Sequence, residues 1–308
     1  MQILRGLHSP DALPVALTIG NFDGVHLGHQ ALLNELKAVA HARNLQTAVI
    51  LFEPHPREFF TPDSAPARLS SLREKLEMLD RLGIDRVHVC RFNASFARMD
   101  AAAFIHALHR DLAAKFVLIG DDFRFGNGRI GDFALMEKIG SQQGFEVQAV
   151  HTITHDEVRI SSTAVRAALS AGQLRRVQDF LGRTYSISGH VVHGDGMGHK
   201  LGYPTANVQL RHNRPPLTGI YVVEAHVQNM GVLQGVASLG VRPTLKHDAQ
   251  PVLEVHIFEF GQDIYGKRLR VEFLQKLRDE EKYPNLDALI RQIGLDVENA
   301  KKWFAQHE

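Results

Sequence analysis

The sequence predicts two modules in tandem: an α/β domain built on a parallel sheet over residues 1–183, and a small antiparallel β-barrel with C-terminal helices over residues 184–308. Three observations predict this. From Val15 to about Ile153, near-continuous apolar runs alternate with stretches of helical spacing, the pattern of a parallel sheet covered on both faces. After Leu181 the texture changes to short alternating segments separated by glycine-rich turns, as in a small barrel. Pro284 then precedes an amphipathic stretch, Leu286 to Phe304, that reads as helical cover for the barrel.

In the first module the expected strands are Val15–Ile19, Thr47–Phe52, Arg86–Phe92, Lys115–Ile119 and Glu146–Val150. Helical spacing appears at Ala31–Leu36, Leu72–Leu82, Ala101–Leu112 and Phe133–Ile139. The expected barrel strands are Tyr185–Val192, Gly219–Val227, Val232–Leu239, Val252–Phe260 and Arg268–Leu274, and the boundary falls within Gly182–Tyr185. No fixed-period repeat and no low-complexity tract interrupts this order.

A chain of 308 residues exceeds a typical single domain, and 44% hydrophobic with 22% charged residues is ordinary globular composition. A net charge of +1 argues against a polybasic nucleic-acid binder. The single cysteine, Cys90, cannot form an internal disulfide and sits in the apolar run Val87–Cys90, where a buried structural thiol is expected. No apolar run approaches membrane-spanning length, and Met1–Pro10 lacks the apolar core of a signal peptide. The expectation is a soluble cytoplasmic protein with small-molecule partners, neither nucleic acid nor membrane among them. No feature sets an oligomeric state.

The densest stretch is Gly20-Asn21-Phe22-Asp23-Gly24-Val25-His26-Leu27-Gly28-His29, between the first strand and the first helix. Strand, glycine-rich turn and helix make a phosphate-binding layout, because the first N–H groups of a helix lack intrahelical partners and its dipole favours an anion. His26 and His29 are three residues apart and share one side of the opening turn. Two imidazoles there suit the phosphates of a nucleotide, above all an α-phosphate under attack. A polar turn that happens to hold two histidines has the same pattern. Its place at the first strand-to-helix turn, beside Asn21 and Asp23, is where open α/β sheets bind ligands. This turn carries neither a Gly-Lys-Ser/Thr phosphate loop nor GxGxxG.

Gly120-Asp121-Asp122-Phe123-Arg124-Phe125-Gly126-Asn127-Gly128-Arg129 follows another strand of this sheet. Glycines permit close backbone approach and the aromatics can stack on a ring, although an ordinary polar loop reads the same way. In Arg159-Ile160-Ser161-Ser162-Thr163-Ala164-Val165-Arg166, Ser161 or Ser162 can cap the helix that carries Val165, Ala168 and Leu169. Capping accounts for the serines but not for the arginines that bracket them. Hydroxyls, unpaired N–H groups and arginines suit a triphosphate whose leaving pyrophosphate gains charge.

The second module has its own dense run, His193 to Asn207, with glycines at Gly194, Gly196, Gly198 and Gly202 that leave backbone N–H groups to cradle phosphate. Thr205 and Asn207 point the same way in extended chain. Their hydroxyl and amide oxygens are hard donors that suit Mg²⁺ taking its other ligands from ATP and water. A glycine-rich hairpin is the plainer reading. In Val252–Phe258, alternation puts Leu253, Val255 and Ile257 on one face and Glu254 with His256 on the other, as on any solvated barrel face.

Together these stretches resemble a known family. GNFDGVHLGH is similar to the HxGH signature of the nucleotidylyltransferase superfamily, in the GxFDGxHxGH form of bacterial FAD synthetases. Those are bifunctional enzymes in which an FMN adenylyltransferase module precedes a riboflavin kinase module. Gly120–Arg129 resembles the family's GxDFxFG element, Arg159–Arg166 its ISSTxVR motif, and Phe52-Glu53-Pro54-His55-Pro56 its FxPHP element. The run ending in Pro204-Thr205-Ala206-Asn207 resembles the riboflavin kinase GxGxxLGxPTAN signature, and Gly240–Thr244 and Tyr265-Gly266 also fit. His199 departs from the pattern, since many relatives carry Arg there; Lys200 stands beside it.

The resemblance implies a Rossmann-like nucleotidylyltransferase domain followed by a kinase barrel. It implies Mg²⁺, with ATP, riboflavin, FMN and FAD as substrates and products: riboflavin becomes FMN, and FMN becomes FAD with release of pyrophosphate. It assigns Gly20, Asn21, Phe22, Asp23, Gly24, Asp122, Phe123, Phe125, Ser161, Ser162 and Thr163 to nucleotide or flavin binding, His26 and His29 to the transferring phosphate, and Arg166 to the leaving group. In the barrel it assigns Gly194, Gly196, Gly198, Lys200, Gly202 and Arg242 to nucleotide or flavin, Thr205 and Asn207 to the metal, and Glu254 to the proton of the riboflavin 5′-hydroxyl. A relative of class I tRNA ligases shares the adenylyl-transfer chemistry, but the chain has no KMSKS-like stretch and no anticodon-binding extension. A flavin-binding sensor without catalysis fits poorly with Thr205, Asn207 and Glu254 all in place.

Overall fold

In the computed structural model, the alternating runs of the first module fold into a six-stranded parallel sheet. The structure describes residues 1–11, 13–150, 154–155, 158–194, 196–210, 214–241 and 251–307; Asp195 and Arg242 lie outside them. Contacts separate the chain into two units, Met1–Pro66 with Leu72–Ser161, and Ala67–Ser71 with Ser162–Glu308.

The first unit runs β1 (Gln2–Arg5), β2 (Val15–Ile19), α1 (Leu27–Ala42), β3 (Gln46–Glu53), α2 (Pro56–Phe60), α3 (Leu72–Arg81), β4 (Arg86–Arg91), α4 (Ala94–Ala97) and α5 (Ala101–Arg110). It continues with β5 (Ala114–Gly120), α6 (Phe133–Gln143), β6 (Glu146–Val150) and the short pair β7 (Thr154–His155) and β8 (Val158–Arg159). The sheet order is β1-β4-β3-β2-β5-β6. Every residue of the central strand β2 is buried. Successive residues face opposite sides: Val15, Leu17 and Ile19 pack with Phe104 and Leu108 of α5, whereas Ala16 packs with Leu36 and Ala40 of α1. That two-sided burial explains the uninterrupted apolar run.

The strand order reverses between β2 and β5, so the crevice outside their carboxyl ends is the expected ligand site. The histidine turn follows β2, and the Gly120–Arg129 stretch begins at the end of β5. β1 has no counterpart among the expected strands. It is an edge strand, and the segment after it is tied down from β4 by the buried Arg86, which bonds Gln46 (2.6 Å), Ser9 (2.8 Å) and Asp11 (2.6 Å).

The second unit runs α7 (Ser162–Ser170), α8 (Leu174–Leu181), β9 (Ser186–Val192), α9 (Met197–Lys200), β10 (Ala206–Val208), β11 (Gly219–Val227), β12 (Gly231–Val241), β13 (Pro251–Ile257), β14 (Arg268–Arg278) and α10 (Leu286–His307). The strands close a barrel in the order β10-β13-β12-β11-β14-β9. Closure pairs every edge. Ile220, Val222 and Val236 on its outer face pack under Ala300 and Phe304 of α10. The α7–α8 pair groups with the barrel by contact, ahead of the 183/184 boundary suggested by texture. Residues 67–71 go with it: the Arg166 Nε–H donates to the Ala67 carbonyl at 2.5 Å and the Tyr185 hydroxyl to that of Leu69 at 3.2 Å. Among the described residues, no helix is long and apolar enough to cross a membrane.

Candidate active sites

The histidine turn is held in an unusual backbone conformation. Phe22, Gly24 and Val25 have φ of 45°, 80° and 41°. A β-branched residue there is a genuine outlier, and such positions cost about 1–3 kcal/mol and persist only where packing enforces them. Packing does so here: Phe22 and Val25 are buried among Leu33, Val49, Leu51 and Leu79. Phe22 is a core residue whose ring leans on His29 at 4.8 Å. Asp23 is also buried.

His26 caps α1, accepting the His29 N–H on Nδ1 at 3.3 Å, and the two imidazoles stack 3.7 Å apart at 21°. Gly28 makes this possible, because a Cβ there would lie 3.1 Å from the His26 ring. Burial holds His29 well below the usual histidine range, helped by the charges of His26 and Lys75. At neutral pH it is an uncharged hydrogen-bonding group. Its Nδ1 and the Asn21 side-chain oxygen are buried without a hydrogen-bond partner among the described residues. Two such orphans at one turn call for a ligand or water.

The first unit also holds a cavity of about 720 Å³ walled by Phe52, Phe60, Phe92, Phe96, Phe123 and Phe125, with Arg57, Arg124, Asn127 and Arg129 among its polar groups. Phe123 and Phe125 present rings 5.5 Å apart and nearly parallel. The FxPHP and GxDFxFG elements therefore meet in one wall. Phe60, Phe92 and Phe96 come from three other places in the chain and carry no local motif. Asp122 lines no part of this cavity; it is exposed and paired with Arg159 at 2.9 Å. Ser161 ends the first unit, while Ser162, Thr163 and Arg166 lie on α7 in the second.

In the barrel, strand register builds the site. The β10–β13 ladder sets Asn207 opposite Glu254, and the β12–β13 ladder sets Ser238 opposite Glu254 on the same face. Thr205 precedes Asn207 by two residues on that side. A Cβ on Gly194 would overlap the Asn207 amide, and one on Gly198 would crowd the Thr205 hydroxyl, so glycine lets the loop lie directly on the pair. Thr205 forms a wall common to two cavities. One, of about 250 Å³, holds Glu254, Arg278, Tyr283 and Leu289; the other, of about 360 Å³, holds Pro204, Ala206, Asp263 and Tyr265.

Gly196, Lys200 and Gly202 line neither cavity, and Lys200 and His199 are exposed. Sequence reasoning missed Arg278 and Asp296. Asp296 accepts from Arg278 Nε at 2.9 Å and Nη2 at 2.6 Å, with Gln292 adding a third bond at 3.0 Å. The carboxylate raises the Arg278 pKa further, and the pair fastens α10 to β14 as one cavity wall.

A parallel-sheet module with paired imidazoles at its switch point, followed by a barrel that groups a hydroxyl, an amide and a carboxylate beside two cavities, defines a two-module phosphate-handling transferase. Comparison with known proteins agrees. Residues 9–164 match the family model for FAD synthetase and residues 181–304 that for riboflavin kinase. The chain is 46% identical over 308 residues to the bifunctional riboflavin kinase/FMN adenylyltransferase of Escherichia coli K12, covering 99% of this chain and 98% of that one. The Haemophilus influenzae protein of the same name is 45% identical over 307 residues, covering 99% of each. A crystal structure described as a macrolide-efflux protein from Streptococcus pneumoniae superposes with a TM-score of 0.80 at 28% identity, covering 98% of this chain and 100% of that one. The chain belongs to the bifunctional riboflavin kinase/FMN adenylyltransferase family.

Proposed function

We propose that the histidine turn and the aromatic cavity serve adenylyl transfer to FMN, and that Thr205, Asn207 and Glu254 serve phosphorylation of riboflavin. The enzyme converts riboflavin and ATP to FMN, then FMN and a second ATP to FAD and pyrophosphate. The observation that carries the residue roles is the wall at Thr205, with a carboxylate-bearing cavity on one side and a second cavity on the other. We assign adenylyl transfer to residues 1–183 and the kinase to residues 184–308.

In adenylyl transfer, an FMN phosphate oxygen attacks the α-phosphorus of ATP, and the bond to the β-phosphate oxygen breaks with its electron pair leaving on pyrophosphate. The nucleophile is already ionised, so positioning and charge stabilisation carry the step. His29, neutral and partly enclosed, donates a hydrogen bond to the transferring group, with His26 fixing its position. Backbone at Gly20, Asn21 and Gly24 surrounds the nucleotide. Ser161, Ser162, Thr163 and Arg166 receive the pyrophosphate, while Phe123 and Phe125 face the flavin ring.

In the kinase step, riboflavin occupies the cavity of Glu254, which takes the 5′-hydroxyl proton as the oxygen attacks the γ-phosphorus and ADP departs. The glycine loop at Gly194 and Gly198 offers backbone N–H groups to the phosphates. The hard oxygens of Thr205 and Asn207, with glycine backbone pressed against both, fit Mg²⁺, which when bound supplies charge neutralisation at the phosphates.

The test supplies His29→Ala and Glu254→Ala enzymes with riboflavin or FMN, plus ATP and Mg²⁺, and separates the flavins by chromatography. Glu254→Ala is expected to form FAD only from FMN, and His29→Ala to stop at FMN. A Glu254→Ala enzyme that phosphorylates riboflavin at the wild-type rate removes the base from Glu254.

A further inference from the structure

A tyrosine side chain normally buries its ring and leaves the hydroxyl to a partner or to water. Tyr283 does the reverse. The residue is partly exposed, yet its hydroxyl oxygen is buried and has no hydrogen-bond partner among the described residues. It lies between β14 and α10 and lines the cavity that holds Glu254, Ser238 and Leu289. The exposed Glu281 carboxylate acts on the hydroxyl, but no hydrogen bond of good distance and angle joins the two. The ring itself is well placed. The Arg278 guanidinium sits 5.8 Å from its centroid, and Asp296 fixes that guanidinium with bonds of 2.9 and 2.6 Å. A phenylalanine would keep the same packing without the cost of an unpaired buried hydroxyl, so the oxygen calls for a partner from outside the chain.

We propose that Tyr283 is a specificity-determining residue of the kinase, whose phenol donates a hydrogen bond to an oxygen of riboflavin in that cavity. The inference rests on the assignment of riboflavin to the cavity of Glu254. Desolvation raises the pKa of the phenol above its ordinary value, with the Arg278 charge opposing, so at neutral pH it keeps its proton and is a donor. The hydroxyl and carbonyl oxygens of riboflavin are acceptors of the kind it lacks. Neither the proton taken by Glu254 nor the transferring phosphoryl group passes through the phenol. The bond is therefore made equally in bound substrate and in transition state, and its worth appears in KM.

The test compares full-length Tyr283→Phe and Leu289→Trp enzymes with wild type in riboflavin phosphorylation, FAD formation from FMN, and thermal midpoint without substrate. Tyr283→Phe is expected to raise the KM for riboflavin about threefold to tenfold, the worth of one neutral hydrogen bond, with kcat unchanged. FAD formation from FMN should not move. The thermal midpoint should hold or rise, because the substitution deletes an unpaired buried hydroxyl. An unchanged KM would overturn the proposal. So would a lower midpoint, which would show that the hydroxyl is bonded within the protein, to Glu281 for one. Leu289→Trp probes the reading beneath: the larger side chain fills the same cavity and should abolish riboflavin phosphorylation while FAD formation from FMN continues. If it lowers the midpoint, Leu289→Phe takes its place. A cavity-filled enzyme that phosphorylates riboflavin normally would remove riboflavin from this cavity. A blocked one beside a Tyr283→Phe enzyme of wild-type KM would refute the role of the hydroxyl alone.

Discussion

Replacing Gly28 with alanine adds a methyl group 3.1 Å from two atoms of the His26 ring and 3.4 Å from the Ile160 carbonyl oxygen. Comfortable separation between such atoms is about 3.5–4.0 Å, so the imidazole must retreat by roughly half an ångström. That movement passes on, because His26 Nδ1 accepts the His29 N–H and the rings stack at 3.7 Å. A misplacement of about 1 Å can slow a reaction about a hundredfold, so half that displacement corresponds to about tenfold. Stability moves the other way. Gly28 is in the first turn of α1 and its φ is not positive, and alanine at a compatible position gains about 0.4–1 kcal/mol, part of which the crowding takes back. The expected outcome is a thermal midpoint at or slightly above wild type, FAD formation from FMN about tenfold slower, and riboflavin phosphorylation untouched. Calorimetry and chromatography of the flavins read all three. A folded Gly28→Ala enzyme that makes FAD at the wild-type rate would refute the dependence of transfer on the histidine stack.

Two other outcomes follow from buried charge. Asp296→Ala leaves Arg278 without its carboxylate beneath α10 and should cost about 3–5 kcal/mol, with loss of kinase activity; Asp296→Leu combined with Arg278→Met should recover much of the stability. Burial also lowers the pKa of His29 and His88 below the ordinary 6.5, so the unfolded chain takes up protons first as pH falls. The stability these neutral imidazoles confer is complete above about pH 6.5 and is lost as pH drops through their folded values. Denaturant midpoints measured on both sides of that pH should decline on the acid side, and a flat profile would contradict it.

What the sequence made legible was local. β2 reads as a doubly buried strand because all five residues are apolar or threonine, and the imidazole pair reads from its spacing because one member caps α1 and the other sits in its first turn. Thr205 and Asn207 are adjacent in the same sense. Glu254 shows its face by alternation, but its pairing with Asn207 is a matter of register between distant strands, supplied at the sequence level only by family resemblance. The aromatic cavity gathers side chains from β3, α2, α4 and loops, none informative alone. The positive φ and the burial of Phe22 were not legible in the sequence, since they depend on packing against distant residues. β1 escaped notice since an exposed edge strand has no apolar pattern.

The central claim is that one chain performs two chemistries, attack on a γ-phosphorus in the barrel and on an α-phosphorus at the histidine turn. The most direct test gives the wild-type enzyme riboflavin and Mg²⁺ with ATP labelled at either the α- or the γ-phosphate, and follows the label into each flavin. The γ-label should enter FMN first and persist into FAD, while the α-label should enter FAD alone, with pyrophosphate released only in that second step. An α-label in FMN, or FAD formed without pyrophosphate, would contradict the account.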